Sequence, residues 1–176
     1  GLCAGWQGQA AHVITCETEH HAVLDVLASV GHTHKDLRVT RIKVDRQGII
    51  DLDALDAALA HGARLLCVMA ANNETGVLQP LDAIAQRLLG RDVIWHCDAA
   101  QAVGKISLDL RQTPIDLLSI SAHKMHGPKG QGALFIRRRR PPLRLQAQID
   151  GGGQERGLRS GTLNVAGIVG FGEACR

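Results

Sequence analysis

Short apolar runs and helically spaced apolar residues take turns along this chain. The run from His12 to Thr15 predicts a strand. His20 to Val30 predicts a helix, with Val23, Leu24, Leu27 and Val30 at helical spacing and Gly31 as its stop. Leu37 to Val44 reads as a second strand, carrying Leu37, Val39, Ile42 and Val44. Asp51 can cap a helix over Leu52, Leu55 and Leu59 that ends near Gly62. Arg64 to Ala70 is continuously apolar, the pattern of a strand buried on both faces of a parallel sheet. Pro80 can open a helix carrying Leu81, Ile84, Ala85 and Leu88, closed by Gly90. Val93 to Cys97, Leu117 to Ser121 and Ala133 to Ile136 predict three further strands, and Asn164 to Ala174 a Gly/Ala-rich helix. Strands alternating with helices, with no repeat and no dividing linker, imply an α/β protein: three layers, α/β/α, around a mostly parallel sheet.

Composition narrows this picture without redirecting it. With 176 residues, 45% hydrophobic and 21% charged, the chain can bury a sizeable core and is not a disordered one. Two Trp, two Phe and no Tyr leave that core to Leu, Ile, Val and Ala, and leave few stacking platforms for single-stranded nucleic acid. A net charge of +3 falls short of a nucleic-acid binder's basic stripe. The one dense patch, Arg137 to Arg140 before Pro141 and Pro142, reads as a solvated loop. No apolar stretch is long enough to span a membrane, and no membrane partner is expected. Five cysteines, Cys3, Cys16, Cys67, Cys97 and Cys175, form no C-x-x-C pair, which points to a reducing, cytoplasmic compartment. Cys67 and Cys97 lie in apolar runs and are expected in the core. The N-terminus, Gly1 to Trp6, lacks a signal-peptide pattern and reads as a chain beginning inside something longer. Nine histidines raise the question of a metal. His20 and His21 point about 100° apart on a helix, and no carboxylate or Cys falls at zinc spacing beside His32 and His34, so no metal site is expected.

In parallel α/β sheets ligands gather beyond the carboxyl ends of strands. Four polar clusters fall there: Thr18-Glu19-His20-His21, Asn72 to Gly76, His96 to Gln101, and Ser121 to Gly130. Lys124 follows an apolar strand and precedes a Gly-Pro turn. A lysine held inside a pocket at such a place is desolvated, and its neutral amine can attack a carbonyl. Asp98 ends another strand, where a carboxylate calls for a cationic partner. A lysine that forms a Schiff base together with an aspartate on a pyridinium nitrogen is the pattern of pyridoxal phosphate (PLP) sites. Simpler roles exist for each residue alone: Asp98 as a cap for a helix at Gln101, Asn73 as a turn former before Gly76, His20 as a surface histidine at a helix start.

Five ordered blocks carry a more specific likeness. Thr18-Glu19-His20, Asn72 to Val77, His96 to Lys105, Ser121 to Gly130 and Gly151 to Thr162 closely resemble cysteine desulfurases, PLP enzymes of the class V aminotransferase-like group with fold type I. The resemblance runs from about His12 to the C-terminus. It implies that Lys124 binds the cofactor covalently and moves protons, and that Asp98 pairs with the pyridine nitrogen. By the same likeness Gln101 and Asn73 lie near the phenolic oxygen. His20 stacks on the ring and assists acid/base steps, and Ser121 and His123 bind phosphate. Thr162 reaches the phosphate of a partner subunit's cofactor, which implies a homodimer. The implied reaction takes sulfur from L-cysteine, leaving alanine and a protein persulfide for iron–sulfur cluster assembly or another sulfur-transfer pathway, with sulfur-acceptor proteins as partners.

Chains of that family are more than twice as long. The resemblance places the nucleophilic cysteine beyond Arg176, so that none of the five thiols here matches it. It also places outside this chain a C-terminal small domain with a carboxylate-binding arginine, and an N-terminal phosphate-gripping loop. Residues 1–176 are therefore expected to be part of the cofactor-binding large domain, inactive alone. A selenocysteine lyase or another class V member is the neighbouring possibility, and a non-catalytic cofactor-binding or dimerisation module the rival of a different kind.

Overall fold

The computed structural model describes residues 1–6 and 8–176. Six strands form one sheet: β1 (Ala11–Cys16), β2 (Leu37–Ile42), β3 (Leu65–Cys67), β4 (Ile94–Asp98), β5 (Leu117–Ser121) and β6 (Gly132–Ile136). Their order is β2-β1-β3-β4-β5-β6. The first five strands run parallel, and β6 pairs antiparallel with β5, Leu118 opposite Phe135. Four α-helices accompany the sheet: α1 (His21–Thr33), α2 (Leu52–Leu59), α3 (Leu81–Leu88) and α4 (Val165–Ala174).

Neighbouring residues on the central strands enter different cores, because side chains alternate between the sheet's two faces. Ile14, Cys16, Leu66, Trp95 and Cys97 join one apolar cluster, with Leu55 and Leu59 of α2 and Ile84 and Leu88 of α3. Val13, Leu65, Cys67 and Leu117 join the other, with Val23 and Leu27 of α1 and with Trp6 and Leu2 near the N-terminus. Burial on both faces explains why β3 is a continuous apolar run rather than an alternating one, and why β1 is buried throughout.

The placement of α1 on one face and α2 and α3 on the other follows from handedness. The chain moves outward from β1 to β2, then turns back past β1 to β3 and on to β4. Right-handed crossovers put helices of opposite travel on opposite faces. The direction reverses between β1 and β3, and that reversal is the switch point where such sheets open a crevice at the strand exits.

Three expectations shift in detail. Gly31 lies inside α1, which runs on to Thr33 and closes with the His34 N–H on the Val30 carbonyl. A Cβ at Gly31 would meet no neighbour, so the residue sits on an open helix face, where glycine costs only about 1 kcal/mol. The strand expected over Arg64 to Ala70 is regular only for three residues. Beyond Cys67 the backbone still bonds β4, through Val68 N to His96 O and Ala70 N to Asp98 O, as it bends into the loop. The Leu37 to Val44 strand ends at Ile42, and Val44 forms an isolated bridge with Ile50.

Candidate functional site

The exits of β1, β3, β4 and β5 lie side by side on one edge of the sheet, and they carry the four polar clusters in sheet order. His20, Asn73, Asp98, Gln101, Ser121, His123 and Lys124 are thereby brought to one edge from segments spread over a hundred positions of sequence. Thr162 is the exception. It is exposed in the loop before α4 and hydrogen-bonds to none of the other seven among the described residues.

Asp98 is the last residue of β4 and half-buried. One carboxylate oxygen accepts the Ala100 N–H at 2.9 Å, which starts the turn that carries Gln101. The other oxygen accepts no hydrogen bond among the described residues. The segment after Asp98 is a chain of turns, not a helix, so the role of a helix cap does not apply. Gln101 accepts a hydrogen bond from the Lys105 ammonium at 2.9 Å. Two residues before Asp98, on the same face of β4, His96 pairs with Ser119 of β5 at 2.8 Å, and burial holds its imidazole below the ordinary range.

Beyond β5 the chain enters a 3-10 turn over Ala122–Lys124, in which only Ala122 is buried. The Ser121 hydroxyl and His123 Nδ1 lie 2.9 Å apart, which leaves the imidazole Nε2 to face outward partners. Lys124 is exposed rather than enclosed in a desolvating pocket as expected, because the 3-10 turn buries only Ala122. Gly127 closes the turn. Its N–H donates to the Ala122 carbonyl at 2.8 Å, and a Cβ there would sit 2.9 Å from that same oxygen. Glycine is required at this point by close approach.

His20 caps α1. Its Nδ1 accepts the Ala22 N–H at 3.1 Å, so in the neutral ring the proton sits on Nε2. Of the two asparagines after β3, the turn former is Asn72 rather than Asn73. Asn72 Oδ1 accepts the N–H groups of Glu74 and Thr75, each at 2.9 Å, while its amide donates to the Thr18 carbonyl at 2.9 Å. The exits of β1 and β3 are tied together by that bond, and Asn73 is presented outward.

Glu19 is a site residue to which the sequence assigned no role. It is 5% exposed, and Oε1 accepts the Met69 N–H at 2.5 Å, a second tie across the β1 and β3 exits. Oε2 is buried without a partner. Burial, with Asp98 nearby, pushes its carboxyl up to about 8. Only the neighbouring strands create this environment, and no local pattern in the sequence signals it. The thiols around it are buried, Cys67 and Cys97 as expected and Cys16 with them, and that burial raises all three. Among the described residues no three His, Cys, Asp or Glu gather as a metal cluster, and no helix is long and apolar enough to cross a membrane.

Residues 2–176 match the aminotransferase class-V family. The chain belongs to that family. This class-V aminotransferase chain is 48% identical over 174 residues to cysteine desulfurase IscS of Anaeromyxobacter sp. (strain Fw109-5), covering 99% of this chain and 42% of that protein. Among solved structures, a NifS-like protein superposes with a TM-score of 0.90 at 39% identity, over 99% of this chain and 47% of that one. SspA in complex with cysteine superposes with a TM-score of 0.91 at 36% identity, over 99% of this chain and 50% of that one. The class-V chain thus spans less than half the length of the curated relative it matches.

Proposed function

We propose that residues 1–176 are part of the cofactor-binding large domain of a PLP-dependent cysteine desulfurase acting on L-cysteine. The observation that carries this reading is the gathering of Lys124, Asp98, Ser121 and His123 at the exits of adjacent parallel strands. Likeness to the IscS and NifS-like proteins supports it.

The residues fit pyridoxal phosphate by their donor set. Asp98 has a carboxylate oxygen open to a cationic N–H, because its backbone turn uses only the other. The Ser121 hydroxyl and the His123 imidazole bond to each other, and the hydrogen that this pairing leaves free would be offered to a phosphate, with Thr162 as a further hydroxyl for a partner subunit's cofactor in a homodimer. Gln101 and Asn73 would bracket the phenolic oxygen, and His20 would face the ring. Bound there, the cofactor supplies an electron sink for charge released at an amino acid's α-carbon.

The chain's own residues do the rest. Lys124 offers an amine from a backbone turn whose shape Gly127 enforces, and it is the group that would give and take the proton. Asp98 fixes a ring nitrogen by charge and hydrogen bond. His20 is locked by Ala22 with its Nε2 proton available for acid/base work. The thiol nucleophile is not among the buried cysteines: burial raises Cys3, Cys16, Cys67 and Cys97, and a thiol without thiolate character attacks poorly. The persulfide would form on a cysteine elsewhere and pass to acceptor proteins such as those building iron–sulfur clusters.

The test is to mix the protein with PLP, record the visible spectrum, reduce with borohydride and map the labelled peptide. The label is expected on Lys124, and Lys124→Ala is expected to lose both the visible band and the label. A label on another lysine overturns the role of Lys124, and no band in wild type overturns cofactor binding by these 176 residues, though not the family membership. The 176-residue chain alone is expected to release no sulfur from cysteine. Alanine formation by it would overturn that expectation.

A further inference from the structure

Glu19 is a buried ionisable group that the proposed chemistry leaves unused. It stands where β1 exits, reaches across the switch point to the Met69 backbone at the exit of β3, and lies close to Asp98 at the exit of β4. Its Oε2 is buried with no hydrogen-bond partner among the described residues. An ionised carboxylate in this position would lose its hydration and regain only the Met69 N–H on Oε1, with Oε2 left unpaired and a second anion beside it. A neutral acid in the same place loses far less.

We propose that Glu19 is a positioning residue of the site: a neutral carboxylic acid wedged between the exits of β1, β3 and β4. It holds the Met69 backbone in place and leaves Asp98 as the anion available to a cationic ring nitrogen. The inference rests on the PLP reading above for the identity of that cation. The direction of the Glu19 shift, upward through burial and through Asp98, agrees with the geometry. The other titratable groups facing it are Cys16 from β1, Cys67 from β3 and Cys97 from β4. All three thiols are pushed up by burial and add no charge at neutral pH. Two carboxylates close together serve best when one keeps its proton, since two charges would compete for one cation and repel each other in its absence.

The experiment labels glutamate with carbon-13 at the side-chain carboxyl and follows its resonances with pH, in the protein with and without PLP. One resonance is expected to titrate near the value of about 8 given above. It should vanish in Glu19→Gln and titrate lower in Asp98→Asn. A Glu19 resonance in the ordinary glutamate range, or one unmoved by Asp98→Asn, overturns the proposal. A second arm reads cofactor binding and the pH profile of the bound cofactor's absorbance. Glu19→Gln keeps a neutral acceptor for Met69 and should preserve both. Glu19→Ala strands a buried N–H and should weaken PLP binding about tenfold. Glutamine behaving like alanine would show that the negative charge matters and would overturn the proposal. Failure of every form to take up PLP would sink the functional reading instead, while the carboxyl titration still decides whether Glu19 is a neutral acid.

Discussion

The centre of the sheet and its β6 flank are both apolar, yet they live in opposite surroundings. Every residue of β1 is buried, and β3 and β4 alternate between two packed cores. In β6, by contrast, Gly132 to Phe135 are all exposed, with Leu134 at 47%. The apolar groove beside it, lined by Val103, Ile106, Leu108, Leu118, Ile120 and Phe135, is open. Helix α4 behaves like β6: Val165, Ile168 and Val169 are exposed, only Gly167 and Phe171 are buried, and Ala174 and Gly170 approach Gly127 and Pro128 beyond β5. Apolar sequence marks a capacity for burial. Packing partners decide whether that capacity is realised, and the two regions should respond to substitution accordingly.

The largest contrast is expected from Trp95→Ala. Trp95 is fully buried in the β4 core, and its loss should cost about 3–5 kcal/mol in urea unfolding. A cost under about 1 kcal/mol would mean that the centre is as loosely held as the flank.

A second contrast is in pH. Glu19 releases its proton near 4.5 when unfolded and near 8 when folded. Between those values the folded chain binds more protons than the unfolded one. The contribution of Glu19 is therefore fully present below about 4.5, is lost as pH rises, and levels off above about 8. Unfolding midpoints of wild type should decline over this window relative to Glu19→Gln. Parallel curves for the two proteins would remove Glu19 as the cause.

The smallest effect should come from the flank. Leu134→Ser on β6 is expected to change stability by no more than about 0.5 kcal/mol, because the side chain is already in water. Its effect should appear instead in light scattering, as reduced self-association, since an exposed apolar edge strand is a template for pairing. A loss of stability comparable to that of Trp95→Ala would erase the distinction between the two regions.

Which parts of this were legible in the sequence follows the same division. The strands at 11–16, 94–98 and 117–121 and the helices over 52–59 and 81–88 were readable because spacing and caps are local. Asp51, for one, accepts the N–H groups of Asp53 and Ala54 as a helix cap should. The antiparallel direction of β6 was not readable, since an apolar run looks the same in either direction. The 3-10 turn at Cys3–Trp6 carries no periodic signal, and its packing explains it: Leu2, Cys3 and Trp6 join the core beneath α1, and the His34 ring meets the Trp6 carbonyl. In the site, residue type and strand position put Asp98 and Lys124 at strand exits, where the structure has them, and His20 at a helix start, where it caps α1. The exposure of Lys124 and the burial of Glu19 were not, because both depend on segments far away in sequence. Asn72 and Asn73 could not be told apart until the turn showed which side chain bends inward.

The paired stitches between the β1 and β3 exits, Asn72 to Thr18 and Glu19 to Met69, have a consequence for engineering. Each loop supplies a side chain that satisfies the backbone of the other. A transplant of the loop after β3 from a relative, made without its counterpart after β1, would leave a buried amide or carbonyl without its mate. The two loops, some fifty residues apart in the chain, act as a single cassette: a redesign of one has to keep or replace the side chain by which it holds the other.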